Sequence, residues 1–194
     1  MRVRGQDEQG SIVGMTRIRP AVPQDVGVVR AVASSAGERF REVADRRVSR
    51  CADDAPPTVD ELSAPIGEGR LLVAEDESRV VGFVLITVID GRAHIDEVSV
   101  DGDAQGRGHG LALLAATQEW SEDRGLDGVT LTTFSDVPWN RPYYERRGFV
   151  VLDEAGTTPG LRRLIAHEAS IGLDPELRVA MHRPRGSSGG VDAG

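Results

Sequence analysis

Gly106, Gly108 and Gly110 stand at alternate positions in Asp101-Gly102-Asp103-Ala104-Gln105-Gly106-Arg107-Gly108-His109-Gly110-Leu111. Glycine adopts positive φ without steric cost and carries no Cβ, so this backbone can turn tightly and let an anion approach. Where a helix follows such a loop, the unpaired N–H groups of its first turn point toward the same anion. Arg107 and His109 add positive character within a chain of net charge -8. The chemistry served is phosphate binding, and two common forms of it are excluded. A dinucleotide fingerprint requires G-x-G-x-x-G, whereas these glycines run G-x-G-x-G. A Walker A loop requires lysine, and all 23 basic residues here are arginine. A glycine-rich turn with no ligand is the competing reading.

The absence of lysine also removes Schiff-base chemistry and a lysine base. Cys51 is a lone cysteine, and no Cys/His group has zinc-ligand spacing, so neither a disulfide nor a metal is expected. An excess of 31 acidic over 23 basic residues disfavours a nucleic-acid partner. The apolar run Val80 to Ile89 is half the length of a membrane helix, and the first residues lack the apolar core of a signal peptide. A cytoplasmic protein with no membrane partner is the expectation.

The elements that must position the loop alternate between two periodicities. A length of 194 residues suits one domain. Residues 1–14 and 184–194 read as disordered tails, and 15–183 as the domain. Thr16 to Ala21 reads as a strand, and Pro23 and Asp25 open a helix with Val26, Val29 and Val32 on one side. A second helical stretch covers Arg39 to Arg50. Thr58 and Glu61 have capping-box spacing for a short helix. Arg70 to Glu75 and Val80 to Ile89 read as a hairpin, followed by a strand over Ala93 to Val100. Leu111 to Arg124 is helical and closed by Gly125. Val129 to Phe134 is a strand, Arg141 to Arg147 a helix, and Phe149 to Leu152 and Leu177 to His182 are strands. The fold class is α/β (α+β): a single domain with a mixed, mostly antiparallel sheet and helices on both faces.

Gln105-x-x-Gly108-x-Gly110 resembles the pyrophosphate loop of the GCN5-related N-acetyltransferases, the GNAT family. The resemblance extends to Val98-Ser99-Val100, an apolar-x-apolar strand end just before the loop. It extends also to Tyr144-Glu145-Arg146-Arg147-Gly148-Phe149, a tyrosine before Gly-Phe, with Asn140 upstream. The element order fits that family from about Thr16 to Arg183.

The resemblance implies a fold and a reaction: acetyl transfer from acetyl-CoA, as co-substrate, to a primary amine by direct attack in a ternary complex. Gln105, Gly106, Arg107, Gly108, His109, Gly110 and Leu111 would hold the pyrophosphate. Val98, Ser99 and Val100 would pair with the pantetheine arm, the Val98 N–H polarising the thioester carbonyl. Glu97 is the first candidate for the base and Asp96 the second; strand alternation puts them on opposite faces. His94 shares a face with Asp96 and reads as a packed or surface histidine. Tyr144 would give a proton to the thiolate, with Tyr143 the alternative. Asn140 would contact the cofactor, though Asn-Arg-Pro is also N-cap chemistry. Asp136 and Trp139, in a loop after a strand, are candidates for substrate binding. The acceptor is expected to be a small-molecule amine, the rivals being a protein or peptide acceptor and a CoA-binding sensor without turnover. A homodimer is the assembly the resemblance implies.

Overall fold

The computed structural model describes residues 12–13 and 16–186. Most of the two expected tails lies outside the described residues, but Ile12–Val13 forms a strand, β1. It is followed by β2 (Thr16–Pro20), β3 (Leu71–Asp76), β4 (Arg79–Ile89), β5 (Arg92–Val100), β6 (Val129–Phe134), β7 (Val150–Val151) and β8 (Arg178–Arg183). These join in one sheet of order β1-β2-β3-β4-β5-β6-β8-β7. Its pairings are antiparallel except that of β5 with β6. The helices are α1 (Val26–Gly37), α2 (Arg46–Ser49), α3 (Val59–Gly67), α4 (His109–Asp123), α5 (Arg141–Glu145) and α6 (Pro159–Ser170).

Period-two alternation along the central strands feeds two apolar layers. Leu71, Val73 and Phe83 bury against Val29 and Val32 of α1 and Leu62 of α3. Leu72, Ala74, Val84 and Ile86 point the other way, onto Leu113, Leu114 and Trp120 of α4. The sheet is therefore covered on both faces. No helix among the described residues is long and apolar enough to cross a membrane.

Local chemistry explains most boundaries. The Thr58 hydroxyl accepts from the Glu61 N–H while the Glu61 carboxylate accepts from the Thr58 N–H, the reciprocal cap that the spacing implies. Gly125, at φ 68°, closes α4.

Two segments differ from the sequence-based expectation. The helix expected over Arg39 to Arg50 is broken into a 3-10 turn (Glu38–Glu42), the short α2, and a second 3-10 turn (Arg50–Asp53). Val43 is extended, and the Asp45 carboxylate caps a fresh helix by accepting from the Arg47 N–H. α6 was not foreseen. Pro159 starts it, and its Gly160 N–H donates to the Asp90 carboxylate in the β4–β5 turn at 2.6 Å. A Cβ on residue 160 would lie 2.6 Å from both Asp90 and Ile89, so glycine is what lets the helix dock there.

Candidate active site

β5 and β6 pair only where Ala93–Ile95 meets Val129–Leu131. Beyond that point β5 stays on β4 and β6 stays on β8, so the two strands part. A cavity of about 760 Å³ includes the gap, within the size range of small-ligand sites. The β4–β5 register also shifts: Leu85 faces Glu97 but Ile86 faces Ile95, leaving Asp96 as an extra residue, a bulge. The bulge corrects the alternation argument, because Asp96 and Glu97 both line the cavity.

The edge of β5 in the gap has groups to offer. The Asp101 N–H donates to Val81 O, and Val100 O accepts from the Gln105 side chain at 3.2 Å. Antiparallel alternation then turns the main-chain groups of Val98, like those of Val100, away from β4 and toward the gap. Ser99, between them, is buried, and its hydroxyl donates to Glu97 Oε1 at 2.7 Å.

At the end of β5 the glycine loop leads into α4. Gly106 and Gly108 lie at φ 78° and 92° with nothing within 4 Å of a hypothetical Cβ, so backbone conformation rather than space demands glycine. Among the described residues, no backbone carbonyl accepts from the N–H groups of Gly106 to Leu111; the first bonded amide is that of Ala112, to Gly108 O at 3.0 Å. This run of free donors at a helix start is what an anion needs.

Gly110 has a different reason. A Cβ there would meet the Tyr143 hydroxyl at 2.9 Å. His109 turns inward: its Nδ1 is hydrogen-bonded to the Thr16 hydroxyl at 2.7 Å, and its Nε2 lies 3.7 Å from Asp76. Its side chain braces the loop from below. Arg107 is exposed, donates to Asp103 O, and is not part of the cavity wall.

The titratable groups divide by environment. Asp96 is open to the cavity, yet desolvation by the surrounding walls drives its carboxyl up to about 6, Arg70 opposing the rise and Glu168 adding to it. Burial also raises Glu97, against the bond from Ser99. His94 is buried and pushed down to about 4 by desolvation, with Arg178 adding. Its Nδ1 lies 3.0 Å from the Thr130 hydroxyl, which itself donates to Ala93 O. His94 Nδ1 is then the donor, and this is a packed, neutral histidine.

Tyr144 lines the cavity and is held edge-on between Tyr143 and Phe149, with ring centroids at 5.3 and 5.7 Å. Burial raises its pKa, and neighbouring Tyr143 adds to the rise. Its hydroxyl has no hydrogen-bond partner among the described residues. Asn140 caps α5 through its carbonyl, which accepts from Tyr143 and Tyr144 N–H; its side chain makes no capping bond and lines the cavity.

The far wall adds to Trp139 side chains that sequence reasoning did not select, those of Arg39, Thr132, Glu168 and Arg178. Arg178 of β8 donates to Glu168 of α6 at 2.8 Å and to the Thr132 hydroxyl at 2.9 Å. Arg39 stacks on Trp139, its Cζ 4.2 Å from the ring centroid, and Phe40 backs the tryptophan. Trp139 is thus where the sequence put it, on the cavity wall; Asp136 is exposed and outside it. Cys51 also lines the cavity, half-buried, with burial raising its thiol pKa.

Residues 39–149, more than half of the chain, match the model of the acetyltransferase (GNAT) family. A mycothiol acetyltransferase of Nocardiopsis dassonvillei is 33% identical over 96 residues, covering 46% of this chain. That match spans 28% of the relative's own length, so the chain corresponds to about a quarter of it. Among solved structures, the PaiA N-acetyltransferase of Thermoplasma acidophilum, in complex with coenzyme A, superposes with a TM-score of 0.65 at 15% identity, covering 87% of this chain and 98% of that one. The ribosomal-protein-S18-alanine N-acetyltransferase of Escherichia coli gives 0.58 at 18% identity, covering 93% and 99%. At these identities the structural likeness is one of fold.

Proposed function

The chain belongs to the acetyltransferase (GNAT) family, and we propose that it is an acetyl-CoA-dependent N-acetyltransferase acting on a small-molecule primary amine by direct attack in a ternary complex. One observation carries the reading. The parting of β5 from β6 brings the free loop amides, the β5 edge, Asp96, Glu97 and Tyr144 onto one cavity. The unpaired amides of Gly106 to Leu111 suit a pyrophosphate, and the β5 edge suits an extended, amide-bearing arm. Acetyl-CoA bound there supplies an activated thioester.

The chain's own groups do the rest. Asp96 takes a proton from the acceptor ammonium; a carboxyl near 6 is a competent base around neutral pH. Asp96 is preferred over Glu97, whose Oε1 is already engaged by Ser99. The Val98 N–H donates to the carbonyl oxygen as the new N–C bond forms. Tyr144, kept protonated by burial, donates to the sulfur as the C–S bond breaks. Asn140 and Trp139 frame the two substrates. A cytosolic location, from the sequence, and a homodimer, from the family resemblance, go with this reading.

Calorimetry with acetyl-CoA tests the cofactor half. Wild type should bind in the micromolar range, and Gly108→Trp should bind about 5- to 150-fold more weakly, because holding a side chain at φ 92° in the bound loop costs about 1–3 kcal/mol. A well-folded wild type that does not bind acetyl-CoA ends the proposal. Tyr144→Phe then separates enzyme from sensor: turnover should fall with binding unchanged.

A further inference from the structure

We infer that the acceptor carries an anionic group, a carboxylate, which Arg39, stacked on Trp139, receives at the opposite end from its amine; this rests on the amine-acetylation reading above.

The observation is a cation on the cavity wall with no ion-pair partner among the described residues. Arg39 lines the cavity and makes no hydrogen bond or ion pair within 4 Å among the described residues. Its neighbours on the cavity behave differently. Arg178 uses its guanidinium on Glu168 and Thr132, and Arg147 donates to Tyr143 O while lying over the Tyr143 ring. The carboxylates around Arg39 leave it unpaired: Glu38, its neighbour in the chain, pairs with Arg41, Glu42 acts on it only at a distance, and Asp54, on the same cavity wall, forms no ion pair with it.

Partial burial lowers the Arg39 pKa, and the distant Glu42 carboxylate opposes the shift. Trp139 Nε1 is buried and also has no acceptor. The indole donor is closed off, whereas the half-exposed Arg39 guanidinium on the cavity wall is the group that an anion in the cavity can meet.

The wall is rigid enough to be a receptor. Trp139 is fixed by Phe40 at 6.3 Å, Phe40 packs on Phe134 at 5.9 Å, and Val48 and Val137 bury behind them. Stacking on the indole holds the planar guanidinium in one orientation, which suits two-pronged pairing with a carboxylate. The same cavity carries Asp96 and Glu97 on β5, suited to an ammonium. One cavity with carboxylates on one strand and a free arginine on another wall selects a molecule charged at both ends. The class is an amino acid or a longer amine bearing a carboxylate; a simple polyamine would leave Arg39 facing a cation.

The test compares α- and ω-amino acids of increasing length with their own carboxamides, following CoA release by wild type, Arg39→Met and Arg39→Glu. Wild type should favour at least one acid over its carboxamide by about tenfold in kcat/KM, the length of the best acid measuring the span between the two ends. Arg39→Met retains apolar cover over Trp139 and should bring that ratio near one with acetyl-CoA affinity unchanged; Arg39→Glu should favour the carboxamide. Equal rates within every pair, an acid preference that survives in Arg39→Met, or acetyl-CoA binding with turnover of no acid in the series would each overturn the inference. Failure of wild type to bind acetyl-CoA is a different result, and removes the acetyltransferase reading itself.

Discussion

At one end of the cavity the groups facing inward are main-chain amides, those of Gly106 to Leu111 and the β5 edge; at the other they are side chains from five separated places, Arg39, Thr132, Trp139, Glu168 and Arg178. The first end needs only that certain residues lack side chains or accept positive φ, and such needs are written in consecutive letters. The second end exists only after a 3-10 turn, a strand, a loop, a late helix and the last strand have come together. Fixed backbone donors suit a co-substrate that never changes, whereas a wall of side chains can be altered by substitution without touching the loop. The molecule therefore separates what it must always bind from what it selects.

Asp96 sits between the two ends, and its replacement should have the largest effect. Asp96→Asn keeps the shape of the bulge and removes the proposed base, so kcat should fall about 10²–10⁴-fold, the range of a lost general base. Acetyl-CoA affinity by calorimetry should stay within about twofold of wild type, because the loop donors are untouched. An equal loss in Glu97→Gln with Asp96→Asn near wild type would return the role to Glu97. Weaker acetyl-CoA binding in Asp96→Asn would show that the two ends are not separable.

What the sequence made legible follows the same division. The hairpin, the glycine loop and the capping box of α3 are local patterns placed from neighbouring residues, and the tyrosine before Gly-Phe, also a short pattern, was singled out by the family resemblance. Glu97 and Asp96 were named as first and second candidates for the base, on opposite faces, and the cavity that both line was not foreseen. The bulge that turns both inward is a register shift against Leu85 and Ile86, and nothing in β5 itself announces it. Arg39 was read as part of one long helix, where it would have been a solvated face. Asp45 ends that reading by capping a new turn, and Arg39 falls instead in a 3-10 turn against Trp139. α6 was missed although Thr158-Pro159 is a helix start, because its anchor, Asp90, is 70 residues away. Arg107 and His109 were read as adding positive charge to the loop; the Arg107 side chain is exposed and the His109 side chain is hydrogen-bonded to Thr16, so what both residues present to the cavity mouth is main-chain N–H.

A smaller effect should mark the side-chain end as structural as well as selective. Arg178 and Glu168 are mostly buried, with side-chain exposures of 11% and 12%, and Thr132 completes the cluster. Arg178→Met strands Glu168 and should cost about 3 kcal/mol, the low end for breaking a buried pair. Chemical denaturation should show the loss, and Arg178→Met with Glu168→Leu should regain most of it. If the single variant is as stable as wild type, the cluster is solvated and the wall is less rigid than its hydrogen bonds imply. Loss of acetyl-CoA binding by the folded variant would again couple the ends.

The smallest effect is a pH dependence of stability, and its sign follows from Asp96. The group is raised from 3.8 in its ordinary state to about 6 in the folded protein. Between those values the folded chain holds a proton that the unfolded chain has released, so its contribution to stability declines as pH rises from about 4 to about 6 and then levels off. Because Asp96 is open to the cavity, solvent screening should keep this below about 1 kcal/mol. Activity should move the other way, kcat/KM rising through the same window as the base becomes free to accept a proton. Denaturation midpoints of wild type and Asp96→Asn across this range isolate the group, since the variant lacks the titration. A wild-type curve parallel to that of Asp96→Asn would mean an ordinary carboxyl at position 96, and the base would then have to be found in Glu97, whose pKa burial also raises.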